Sequence, residues 1–92
     1  MSVVVLPGYL GEIVGGRGRV TLPGVPATVG EALAALVAAH PGLRDRIQDE
    51  QGVVRTHVNV FVDGVSIRDS GGLATRLTAA AEIRVLPAVS GG

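Results

Sequence analysis

The chain closes on VLPAVSGG, and the group in it best suited to chemistry is the α-carboxylate of Gly92. Taken as a free terminus, that carboxylate is ionised at neutral pH, since such groups titrate near about 3.5. An ionised carboxylate is a poor electrophile. It can pass on its acyl group only after activation, for which ATP-dependent adenylation is the usual route. An enzyme doing this would hold the last residues in a narrow channel. Glycine suits the task, because without a Cβ another backbone can approach closely. Extended, the segment Pro87–Gly92 reaches about 20 Å, enough for a globular body to stay outside while the carboxylate enters.

Elsewhere the groups that drive most catalysis are missing or isolated. Cysteine and lysine are both absent. That removes thiolate nucleophiles, disulfides, Cys-based metal sites and Schiff bases. It also removes every side-chain amine that could accept an isopeptide bond. The basic set is all arginine, which fits a GC-rich coding bias. His40 and His57 are too few and too far apart in sequence to suggest a metal site, and His40 reads as the close of a helix. Asp45, Asp49 and Glu50 stand beside Arg44 and Arg46 and read as a solvated charged face. No Ser-His-Asp arrangement is visible. GGRG at Gly15–Gly18 lacks the lysine and Ser/Thr of a phosphate-binding loop. Ser70-Gly71-Gly72 could form a backbone nest but reads as a turn. On side chains alone the chain is expected to be neither an enzyme nor a metal binder.

The elements that must position the C-terminus follow from composition and pattern. With 92 residues, 47% of them hydrophobic, the chain supports one aliphatic core. Eight arginines balance eight acidic residues, so no basic excess favours nucleic acid. No apolar run approaches the ~20 residues that span a bilayer. The opening MSVVVLPGYLG has no basic leader, so a soluble, cytoplasmic protein is expected.

Ser2–Leu6 is a β-branched run ended by Pro7-Gly8. A glycine-rich connection follows, and Arg19–Gly24 then alternates, which predicts an antiparallel hairpin with a long, mobile loop. TVGEALAALVAAH carries the clearest helix signal. Thr28 and Glu31 form a capping box, and Val29, Ala32, Leu33, Leu36, Val37 and His40 make one apolar stripe before Pro41. LRDRIQDEQG holds a second short helical turn. In RTHVNVFVDG, Val58, Val60 and Val62 point one way, and His57, Asn59 and Phe61 the other. Asp63-Gly64 is a hairpin turn, with Val65–Ile67 as the returning strand. Ser70–Leu77 is a loop with one helical turn. Glu82–Leu86 is the last strand, which Pro87 ends because it lacks an N–H.

A helix with one apolar stripe can bury it only against one face of one sheet. The expectation is therefore α+β: a mixed sheet of four to five strands, its first and last strands side by side in the centre, with one main helix on one face. Residues 1–86 form this domain and 87–92 a flexible tail. Phe61 and Leu86 point away from the helix and are candidates for an apolar docking patch, the alternative being that a loop covers Phe61.

This order, ending in PAVSGG, resembles the β-grasp of ubiquitin-like sulfur carrier proteins of the MoaD/ThiS family. HVNVFVDG, SGGLATRL and EIRVLPAVSGG look most like a carrier serving a cysteine biosynthesis route. The resemblance is strong over Arg55–Gly92 and a matter of pattern before that. TAAAE at Thr78–Glu82 departs from it where the family has an Asp-Gly turn. The resemblance implies that an E1-like enzyme adenylates Gly92 with ATP and Mg²⁺, and that a sulfur donor converts it to a thiocarboxylate. A second enzyme's substrate then accepts the sulfur. Pro87, Ala88, Val89, Ser90 and Gly91 make up the tail, which Pro87 and Val89 are expected to steer, and a monomer with no bound cofactor is expected. The same tail would serve a ubiquitin-like modifier joined through Gly92 to lysines of other proteins. A plain interaction module with a frayed end is the remaining alternative.

Overall fold

The computed structural model describes residues 2–16 and 18–87. Strand β1 (Ser2–Val5) opens the chain, with Val4 fully buried. Where an open glycine-rich loop was expected, the connection instead folds into helix α1 (Gly8–Gly11) and a 3₁₀ turn (Glu12–Val14). Leu10 is the physical reason. It is fully buried, with Ile13 and Val14 packed against the same core, so these apolar side chains hold a turn that the surrounding glycines would otherwise leave open. Strand β2 (Arg19–Leu22) returns antiparallel to β1, with Leu22 buried.

Helix α2 (Val29–Ala39) follows. The Thr28 hydroxyl accepts from the Glu31 N–H at 3.2 Å. The Glu31 carboxylate meets the Thr28 hydroxyl at 3.4 Å, so its contact runs to the side chain and not to the backbone N–H that a reciprocal box would use. Val29, Ala32, Leu33, Leu36 and Val37 are buried as the stripe predicts, while His40 caps the end half-buried. After a 3₁₀ turn at Pro41–Leu43 comes helix α3 (Arg44–Ile47), the expected second short helical turn.

Strand β3 (Val58–Val62) leads through Asp63 (φ 47°) and Gly64 (φ 89°) into strand β4 (Val65–Ser66). Two successive left-handed residues make the hairpin turn whose twist suits the strands, and Asp-Gly is the pair that tolerates it. β4 is a residue shorter than expected. Ile67 leaves the strand for a 3₁₀ turn and drops its side chain into the core, 4% exposed. Strand β5 (Glu82–Pro87) closes the chain.

The sheet order is β2-β1-β5-β3-β4. β1 and β5 are parallel and central, and the other pairs are antiparallel. This is the mixed α+β architecture expected. The inward side chains Val4, Leu22, Val58, Val60, Ile83 and Val85 form one cluster with α2. Burying each such aliphatic side chain stabilises the fold by about 1.5–3 kcal/mol.

Residues 70–77 clasp the start of α2. The Val29 N–H donates to the Thr75 carbonyl at 3.0 Å and the Leu77 N–H to the Ala27 carbonyl at 2.9 Å. Gly30 permits the approach, since a Cβ there would lie 3.2 Å from the Leu73 carbonyl oxygen. Within the clasp the Thr75 hydroxyl bonds the Gly72 carbonyl at 2.7 Å and lies 3.1 Å from the Ser70 hydroxyl. At the other end of the hairpin, Asp63 accepts from the Glu82 N–H at 3.0 Å and ties the start of β5 to the turn. No helix among the described residues is long and apolar enough to cross a membrane.

Candidate functional site

Gly92, and with it Ala88, Val89, Ser90 and Gly91, lies outside the described residues. What the structure does define is the point from which they depart. β5 runs one residue further than expected, and Pro87 stands opposite Val58. A proline in a central strand should break a ladder, yet β5 is not central at its end. β1 accompanies it only from Glu82 to Arg84, before turning away at Pro7. Beyond Arg84 only β3 flanks β5, so the N–H that Pro87 lacks has no neighbour on the β1 side to miss it. Pro87 is exposed.

The sheet face opposite α2 surrounds this departure point. Alternation puts Val3 and Val5 of β1, Asn59 and Phe61 of β3, and Glu82, Arg84 and Leu86 of β5 on it. Register then brings them together. Phe61 is half-buried between Arg84 on one side and Ser66 on the other, and Leu86, 36% exposed, stands opposite Asn59. Phe61 and Leu86 are thus diagonal neighbours on adjacent strands, an adjacency that the register and not the sequence supplies. Val3 and Val5 extend the apolar strip, each half-buried.

Charged groups frame that strip. Glu82 Oε1 lies 3.1 Å from Arg84 Nη2, and Oε2 lies 3.7 Å from Arg19 Nη2. Their place was legible in the alternation of Glu-Ile-Arg-Val-Leu, although the sequence reading did not single them out. Arg68 could not have been found that way. Its guanidinium donates to the Val58 carbonyl at 3.0 Å, the Arg55 carbonyl at 3.3 Å and the Asn59 Oδ1. It occupies the edge of β3 where the two-residue β4 has stopped, which keeps that edge from pairing with another strand.

The other candidates resolve into structural roles. His57 is exposed ahead of β3 and His40 sits at the helix end. Among the described residues no group of His, Cys, Asp and Glu could hold a metal ion. Asp49 builds a turn, its Oδ1 accepting from the Gln51 and Val53 N–H groups at 2.9 and 3.0 Å. A hollow of about 540 Å³ beside Ala34, Arg44, Asp45 and Glu50 lies near the end of α2 and gathers no nucleophile. GGRG is described except for Arg17. Ser70-Gly71-Gly72 belongs to the clasp.

Comparison with known proteins agrees with this geometry. Residues 4–92 match the model of the ThiS family. The chain is 35% identical over 95 residues to sulfur carrier protein CysO of Mycobacterium tuberculosis, covering all of both chains. It is 40% identical over 84 residues to small archaeal modifier protein 1 of Haloferax volcanii, covering 90% of this chain and 91% of that one. It also superposes on a chain in the crystal structure of the Amycolatopsis orientalis BexX/CysO complex, with a TM-score of 0.87 and 32% identity over all of both chains.

Proposed function

The chain belongs to the ThiS family of ubiquitin-like carriers, and from that premise we propose that it is a sulfur carrier protein whose reagent is the C-terminal carboxylate of Gly92. A carboxylate oxygen of Gly92 attacks the α-phosphorus of ATP on a partner E1-like enzyme, which uses Mg²⁺, and pyrophosphate leaves. Sulfide equivalents from a donor attack the acyl carbon and AMP leaves, giving a thiocarboxylate. Its sulfur then attacks an electrophilic substrate held by a second enzyme, such as an activated serine or the precursor of a sulfur-containing metabolite. Hydrolysis restores the carboxylate. In this reading the protein is a co-substrate and not a catalyst. It holds no cofactor, and it works as a cytoplasmic monomer in transient complexes.

The observation that carries the reading is the family match running through residue 92, so that it includes the terminal segment as well as the fold. Support comes from β5, which delivers the chain to that segment at an exposed Pro87. Phe61 and Leu86 supply the grip for partner enzymes. The BexX/CysO complex shows a relative of this chain assembled with another protein.

The test is intact-mass analysis after incubation with ATP, the E1-like enzyme of the same genome and a sulfide source. Replacement of one oxygen by sulfur is expected. A mass that stays at the carboxylate value, with an enzyme shown to be active on another carrier, would sink the proposal.

Likeness to small archaeal modifier protein 1 favours a second reading, attachment of Gly92 to lysines of other proteins. It needs the same activation and differs only in the nucleophile that takes the acyl group. Gly-Gly remnants on target lysines in a cellular digest distinguish it. The lack of lysine here excludes lysine-linked chains of the protein with itself.

A further inference from the structure

Resting on the carrier reading, we propose that the outer sheet face docks the activating enzyme through a partner carboxylate that pairs with Arg84, taking the place Glu82 holds in the free protein. The argument begins with a charge imbalance. The whole chain is neutral, yet among the described outward positions of the five strands Glu82 is the single acid against Arg19 and Arg84. One carboxylate is shared between two guanidiniums, at 3.1 and 3.7 Å. The remaining acid nearby, Asp63, is turned to the Glu82 backbone N–H at the hairpin. Arg68 adds its own positive charge nearby, but its N–H groups are donated to the neutral Val58 and Arg55 carbonyls and to Asn59, which leaves it less able to take a new partner. The face therefore carries an uncompensated positive charge centred on Arg84 and Arg19.

The surroundings of Arg84 make it the anchor. Register places it between Val5 and Phe61, one step along the strand from exposed Leu86. Arginine among apolar and aromatic side chains is the composition from which interface anchors are built. In the free protein the Arg84–Glu82 pair is open to water, its side chains 47% and 39% exposed. Such pairs contribute little and exchange readily. A partner surface that covers Phe61 and Leu86 excludes water from Arg84, so a carboxylate arriving with it gains a stronger attraction than Glu82 has. Leu86 adjoins Pro87, so the same contact brings the departing tail to the partner. The partner is thus a protein surface with an apolar centre and at least one carboxylate facing Arg84.

The experiment is ATP–pyrophosphate exchange by the E1-like enzyme of the same genome, with KM measured for the full-length carrier. Arg84→Gln should raise KM about tenfold with kcat within about twofold. Glu82→Gln should lower KM about two- to threefold, because it removes the internal competitor. Arg46→Gln, on the exposed helix side, should change neither. For the wild type, raising NaCl from about 0.05 to 0.5 M should raise KM about tenfold. Opposite signs for the two face variants are the signature, since a structural role for the pair would move both the same way. Shifts in one direction, no shift in either, or a KM indifferent to salt would each overturn the docking inference while leaving the carrier reading standing. Failure of the wild type to support any exchange would overturn the carrier reading and the inference with it.

Discussion

Ser-Gly-Gly occurs twice in this chain, at Ser70–Gly72 and at Ser90–Gly92. The first is internal and bonded. Its serine hydroxyl lies 3.1 Å from that of Thr75, and its Gly72 carbonyl accepts from Thr75 at 2.7 Å. The segment it begins holds the start of α2 through Val29 and Leu77. The second follows a strand that ends exposed at Pro87, and in the proposed function it carries the reacting carboxylate. In that proposal one tripeptide serves stability and the other chemistry. What marks the first copy is its neighbour: five residues on from Ser70 comes a threonine that closes the turn.

If that contrast holds, damage to the two regions should be read by different instruments. Deleting Gly92 is the most severe test, expected to cost more than about 100-fold in adenylate formation, since the reacting group is displaced from a geometry in which small misplacements are costly. Its thermal unfolding midpoint should match the wild type. Retained thiocarboxylate formation would collapse the contrast. Leu33→Ala addresses the helix that the clasp secures. Leu33 is fully buried, so the loss should be about 2–5 kcal/mol in urea unfolding, by lost transfer and the cavity left behind. Below the unfolding midpoint this variant should still be adenylated. Thr75→Val removes the hydroxyl that joins Ser70 to Gly72. A loss of about 1 kcal/mol is expected, seen as a fall in Tm of about 4–8 °C for a domain of this size, with KM in pyrophosphate exchange unchanged. The finest comparison pairs the two serines. Ser70→Ala should lower stability by about 0.5 kcal/mol, whereas Ser90→Ala should leave the unfolding curve where it was. Equal effects from both would show that the second copy is bonded much like the first.

Much of this is legible in the sequence. The period of Val29, Ala32, Leu33, Leu36 and Val37, the Thr28 cap and the Asp63-Gly64 turn are short-range patterns, and each appears in the fold where it was expected. The region between Gly8 and Val14 was not legible as helix. Its glycines have low helix propensity, and only the tertiary burial of Leu10 overrides them. The extension of β5 to Pro87 has a related reason. Whether Pro87 breaks a ladder depends on which strand lies beside it, and β1 has already turned away there. Of the candidate site, Phe61 and Leu86 were visible in the alternation of their strands. Arg68 was not, because its contacts join residues 9 to 13 positions away.

The sequence alone was enough to identify Gly92 as the candidate reagent and to predict one helix on one sheet, because side-chain inventory and apolar periodicity are local properties of the chain. Tertiary structure decided which strands adjoin, and so which residues share the outer face. Arg19, Arg84 and Glu82 come from two strands that are not neighbours in the chain, and their charges meet only after β1 brings β2 and β5 to either side of it. Electrostatic attraction depends on distance in space, and that distance is set only when the sheet has closed.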